Sequence, residues 1–140
     1  MNSSQSTQSK RLRVTVLRGG PSSEREISLA SGGAVAEALR RRGHDVFEAD
    51  IGPDDLDALD HAADVVFPVL HGEFGEDGTL QRILEERSIR FVGSGSAASA
   101  LAMDKVASKQ LVTQLGFMTA DFRDWTTAPK DVAPPFPGPW

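Results

Sequence analysis

Two glycine-rich, acidic stretches carry most of the chemistry that this chain could perform: GGPSSERE at residues 19–26 and HGEFGEDGTLQ at residues 71–81. Each directly follows a short apolar run, so each is read as the loop that leaves the end of a strand. Glycines beside a helix start give an anion-friendly turn, because free amides point outward there. Glu24 opposes that, since a carboxylate in the first helical turn suits a ligand ammonium. The same acid would also stabilise its helix by about 0.3 to 1 kcal/mol with no ligand present, and both readings stay open. His71, at the opposite loop, has its own plain alternative: a histidine at a strand end satisfied by a backbone partner. Lys105 follows Asp104 at an expected helix start, where the dipole disfavours a cation and a nearby anion would favour it.

Other chemistries are disfavoured. The GxGxxG spacing is missing, because Gly19 and Gly20 are adjacent, and no Gly-Lys-Ser/Thr ending is present. His44, His61 and His71 lack ligand-like spacing, and the acids of the second stretch lack the alternation of a calcium loop, so no metal site is expected. There is no cysteine, which excludes disulfides and thiolate sites. A net charge of −5 with scattered basic residues argues against a nucleic-acid partner. No apolar stretch approaches the ~18 residues of a spanning helix, so no membrane partner is expected and a cytoplasmic setting is compatible.

The elements that must position these residues read as α/β. The 140 residues, 39% hydrophobic, make one ordinary globular unit. Residues 1–11 read as a disordered leader without a signal-peptide core. Leu12 to Leu17 is a first strand. A helix follows, with Ser23 and Glu26 as a capping box, Ile27, Ala30, Ala34, Val35, Ala38 and Leu39 as its apolar face, and Arg40, Arg41 and Arg42 complementing its C-terminal dipole before Gly43. Val46 to Ala49 is a second strand, and Asp54 to Leu59 a helical turn. Asp64 to Leu70 is a third strand whose continuous apolar run suits a parallel sheet covered on both faces, with Pro68 near its end.

Asp77 is placed to cap a helix presenting Leu80, Ile83 and Leu84, and a short strand spans Arg90 to Val92. After the small-residue segment Ala97 to Ala102, Asp104 should cap a helix through Leu115, stopped by Gly116. The alternation predicts a doubly wound, Rossmann-like parallel sheet with helices on both faces. Ligands of such sheets lie outside the carboxyl ends of the strands. Asp121 to Trp125 could be a further strand, and residues 128–140, with five of the eight prolines, read as a connection toward another element in a chain cut short.

Three motifs in order, LRGGPSSEREISLASG at Leu17 to Gly32, HGEFGEDGTLQ, and GSGSAASALAMDKVASK at Gly93 to Lys109, resemble the N-terminal part of the D-alanine:D-alanine ligase family. The likeness runs from about Leu12 to Phe122. It departs at Arg82, where the family usually has a small residue, and at Pro68. The resemblance implies an enzyme of bacterial cell-wall (peptidoglycan) synthesis that joins two D-alanines with ATP hydrolysis through an acyl phosphate. It implies a substrate-side domain over residues 12–103 and the start of an ATP-grasp region over residues 104–140. On the matching positions it implies that Glu24 is catalytic and holds the first D-alanine's ammonium, and that Ser28, His71 and Gly72 join it in that subsite. Lys105 would reach ATP phosphates. The magnesium ligands would lie outside this chain, which alone would be inactive. A homodimer is left open. The alternatives are a stand-alone amino-acid-binding or regulatory module of the same fold, or a different ATP-grasp ligase, which the histidine-glycine motif disfavours.

Overall fold

A computed structural model describes residues 10–122, so the expected leader through residue 9 and everything beyond Phe122 lie outside the described residues. The chain divides into two compact units, Met1–Asp104 and Lys105–Trp140.

The first unit is built on three parallel strands, β1 Arg13–Arg18, β2 Asp45–Asp50 and β3 Val65–Pro68, in the order β2-β1-β3. Val14 pairs with Val46 on one side and Val65 on the other. The central strand is buried from Val14 through Leu17, as a parallel strand covered on both faces must be. Its alternate residues feed two cores. Val14 and Val16 meet Ala36 of helix α1 (Arg25–Arg41), whereas Leu17 joins Leu80 and Leu84 of helix α2 (Thr79–Glu86) together with Leu59, Val66, Leu70 and Phe74. Leu59 sits in a 3-10 turn at Asp57–Asp60, slightly later than the expected helical turn.

Several expectations are corrected in detail. The third strand ends at Pro68 rather than Leu70: the Val69 amide still bonds Leu17 O at 2.8 Å, but the Gly19 amide turns away to Ser28 Oγ at 2.8 Å. The fourth strand reduces to a single parallel bridge from Phe91 to Val66, flanked by the bonds Val66 N–H to Arg90 O (2.8 Å) and Val92 N–H to Val66 O (3.0 Å). Gly93, at φ 123°, then diverts the chain.

The capping box does not form. Glu24 is the N-cap residue of α1 and makes no side-chain cap bond; instead Ser22 Oγ accepts from the Glu24 amide at 3.1 Å. The buried stripe of α1 is Ser28, Gly32 and Ala36, while Ile27 is 63% exposed. Small residues face the sheet because the helix lies close to it: a Cβ on Gly32 would come within 2.6 Å of Arg18 Cβ. The arginine run behaves as expected, with Arg40 and Arg41 in the last turn and Arg40 bonding Glu48 at 2.6 Å. Gly43 then closes α1 by accepting the left-handed conformation, its amide bonding Arg40 O while the His44 amide bonds Leu39 O.

Ala97 to Ala102 is itself helical, within α3 (Ser96–Met103). Its first amide and hydroxyl are taken by Glu85, at 2.8 and 2.5 Å. These bonds hold Glu85 below its ordinary pKa. Arg82, exposed on α2, leaves that helix intact. Asp104 is extended (φ −80°, ψ 99°) between α3 and α4 (Lys105–Gln114).

In the second unit Gly116 ends α4, with the Gly116 and Phe117 amides bonding Thr113 O and Val112 O. Lys109 Nζ bonds Thr119 Oγ1 at 2.9 Å and Ala120 O at 2.8 Å. Among the described residues, no helix is long and apolar enough to cross a membrane.

Candidate functional site

The chain leaves β1 toward β2 on one side and then crosses to β3 on the other. The crevice therefore opens at the carboxyl ends of β1 and β3, the topological switch point of such a sheet. The two acidic glycine loops emerge there.

The first loop spends its glycine amides internally. Gly19 and Gly20 have φ of 83° and 82°. The Gly19 amide donates to Ser28 Oγ at 2.8 Å and the Gly20 amide to Asp50 Oδ1 at 3.1 Å. Asp50 is also paired with Arg25, whose guanidinium, aided by the Gly20 amide, outweighs burial and holds the carboxyl below its ordinary pKa. A carboxylate of the chain thus fills the place beside the glycines that a phosphate takes in nucleotide-binding turns.

Ser28 is fully buried. Its hydroxyl accepts from Gly19 and donates to Val69 O at 2.7 Å, tying the end of β1 to the residue after β3. It positions the two loops, with both bonds directed to the backbone.

Glu24, by contrast, is exposed, and among the described residues its carboxylate has no hydrogen bond or ion pair. Its neighbour is Gly72 of the second loop. Gly72 has φ 70°, and a Cβ there would meet Glu24 Oε2 at 3.1 Å and Ser22 Cβ at 3.2 Å. Only glycine combines this backbone with this approach.

The second loop is shaped from within. Glu76 Oε2 accepts from the Gly72 amide at 2.7 Å. Asp77 accepts from the Phe74 amide at 3.0 Å and the Thr79 amide at 2.9 Å, so it satisfies the first turn of α2 although Gly78 is the N-cap residue. Burial acts to raise the Asp77 pKa, but the amide donors prevail and hold it low. Phe74 adopts a left-handed φ of 70° and is buried, 3% exposed as a residue, anchoring the loop in the core.

His71 is half-buried between the loops. Ser31 Oγ lies 2.7 Å from Ile27 O and 3.2 Å from His71 Nε2. On the other side of the ring, His71 Nδ1 faces Glu76 Oε1 at 3.7 Å. The arrangement brings Glu24, His71 and Gly72 together, with Ser28 beneath. Lys105 is an exposed residue at the start of α4, in the second unit. Among the described residues no group of three or more potential ligands could hold a metal ion.

Sequence reasoning missed Ser22, Ser31 and Glu76. The signal for Ser31 was present, since residues 24, 28 and 31 follow the i, i+4, i+7 spacing of one helix face. Nothing local announced Ser22.

The α/β domain thus presents, at the switch point of its parallel sheet, a carboxylate that is free among the described residues and a half-buried imidazole. The chain belongs to the D-alanine–D-alanine ligase family: residues 52–94 match the family model described as D-ala D-ala ligase N-terminus. It is 47% identical over 131 residues to a D-alanine–D-alanine ligase of Acidiphilium cryptum, covering 91% of this chain and 44% of that enzyme. It resembles the structure of the Bacillus anthracis D-alanine–D-alanine ligase complexed with ATP, with TM-score 0.72 and 31% identity over 81% of this chain and 38% of that one. A D-Ala:D-Ser ligase of Enterococcus faecalis, VanG, matches with TM-score 0.66 and 30% identity over 76% of this chain and 43% of that one. The chain thus spans less than half the length of these relatives.

Proposed function

We propose that this chain forms the first-substrate side of an ATP-dependent ligase that joins two D-alanines for peptidoglycan synthesis. The observation that carries the reading is the Glu24 carboxylate, exposed and unpartnered among the described residues beside Gly72 at the sheet's switch point. A free amino acid brings an ammonium that needs such a partner, and a charge-assisted contact supplies it. His71, oriented by Ser31 and Glu76, lines the same subsite.

In the reaction the first D-alanine's carboxylate accepts the γ-phosphoryl group of ATP. The amine of the second substrate then attacks the acyl phosphate, forming the peptide bond and releasing phosphate and a proton. Lys105 is assigned to the ATP phosphates, where an ammonium offsets transferred charge. Magnesium would supply further charge stabilisation, and among the described residues no group of three or more potential ligands would hold it. Dependence on ATP supports a cytoplasmic setting.

The test is Glu24→Gln in the complete ligase. If Glu24 pairs with the ammonium, the apparent KM for the first D-alanine rises roughly ten- to hundredfold, the consequence of losing about 1.5 to 3 kcal/mol. The KM for ATP stays put. If the acid only supports its helix, stability falls by up to about 1 kcal/mol and the kinetics do not change.

A further inference from the structure

Glu24 and His71 come from loops far apart in sequence, and their separation must be fixed by something between them. Three serine hydroxyls cross from the first loop and α1 to the segment after β3. Ser28 reaches Val69 O and Ser31 meets the His71 ring. Ser22 differs from both, because it bonds directly to the backbone of two site residues. Its hydroxyl donates to His71 O at 2.7 Å and accepts from the Glu24 amide at 3.1 Å. One proton and one lone pair are thereby used with the correct polarity.

Van der Waals contact reinforces the bonds. The Ser22 side chain lies against Gly72, where an added Cβ would meet Ser22 Cβ at 3.2 Å and Oγ at 3.3 Å. The Ser22 carbonyl also accepts from the Arg25 amide at 3.1 Å, so the residue is held at the helix start. From this geometry we infer that Ser22 is a positioning residue for the first substrate: it latches the His71 loop to the start of α1 and sets the distance between the Glu24 carboxylate and the His71 imidazole. The inference rests on the amino-acid-binding reading of that pair.

The consequence concerns the first subsite selectively. Without the hydroxyl, the Glu24 amide and the His71 carbonyl must find water, and the two loops are free to separate. An ammonium held from one loop and a substrate body lined by the other then no longer meet both. ATP binding makes no use of this latch.

The experiment uses the complete ligase with Ser22→Ala, Ser22→Thr and Glu24→Gln, and reads the KM for the first D-alanine, the KM for ATP, kcat and thermal unfolding. Ser22→Ala is expected to raise the first-site KM about tenfold while the KM for ATP changes less than about twofold. Ser22→Thr, which keeps the hydroxyl, should restore the first-site KM to within about threefold of the parent. An unchanged first-site KM in folded Ser22→Ala, with Glu24→Gln impaired, overturns the latch and leaves the subsite standing. Ser22→Thr as impaired as Ser22→Ala also overturns it. If Glu24→Gln leaves the first-site KM unchanged, the underlying amino-acid reading fails instead.

Discussion

The Glu24 carboxylate stands over the bare Cα of Gly72, so near that a methyl group on Gly72 would lie 3.1 Å from Oε2. The contact joins the two loops where they flank the crevice. It also makes Gly72 a position at which backbone strain and site geometry can be separated.

Gly72→Ala in the complete ligase should lose about 1 to 2 kcal/mol of stability, the cost of a left-handed alanine, and should raise the first-substrate KM because Oε2 must move. Gly43→Ala is the matched control. Gly43 has φ 88° but no atom within 4 Å of an added Cβ, so it should lose similar stability with unchanged kinetics. Melting curves and steady-state kinetics on both variants check this, and equal kinetic loss in the two would refute the contact.

The acid limb of stability should depend on Asp64. Arg13 bonds Asp64 through its guanidinium and its backbone amide, at 2.9 and 2.8 Å, and holds the carboxyl down to about 2. A depressed carboxyl stabilises the fold above its unfolded pKa and loses that contribution as pH falls toward the folded value. The wild-type chain should therefore lose stability between about pH 4 and 2 more steeply than Asp64→Asn. Unfolding midpoints at pH 5 and pH 2.5 compare the two.

The legible parts of the fold were those written in local chemistry. Strand β1, the glycine stops at Gly43 and Gly116, and the buried pair Leu80 and Leu84 each follow from a short pattern. The buried face of α1 was read only in part: Val35 and Leu39 pack against the core of Val14, Val16 and Ala36, whereas Ile27 and Ala30 are exposed and close approach to Arg18 selects Ser28, Gly32 and Ala36. The candidate site was legible at Glu24 and His71 only as residues of the loops that such a sheet uses. Ser22 was not, because its partner His71 O lies in another loop, and no sequence window contains both.

Helix α2 ends on an unusual residue. Ser88 adopts φ 56°, with its amide bonding Glu85 O at 2.9 Å and the Ile89 amide bonding Leu84 O at 2.8 Å. This is the position that glycine normally fills. Ser88→Gly should raise stability by about 0.5 to 1 kcal/mol, the left-handed strain removed less the entropy of the unfolded glycine. Denaturant titration measures it, and the kinetics should not move.

Gln81, the last residue of the second motif, offers the sharpest test of how that loop is held. It is 8% exposed, its Nε2 donates to Gly75 O at 2.7 Å, and among the described residues its Oε1 has no partner. The donor is what matters, since it fixes the middle of the loop that carries His71 and Gly72. Gln81→Met removes the bond and the orphan acceptor together, and the two effects oppose each other, so a net loss near 1 kcal/mol is expected. Gln81→Glu keeps the shape and replaces the donor with a group that donates only when protonated. Its folded pKa should be raised, because the ionised form would be buried against a carbonyl. Stability is then retained below the unfolded glutamate value near 4.3 and lost as pH rises through the folded value. Gln81→Glu should thus match the parent closely at about pH 4 and fall at least 2 kcal/mol below it at about pH 7.5. Urea midpoints of both proteins at the two pH values decide the matter. A deficit that is the same at both would mean that the side chain does not hold Gly75 by donation.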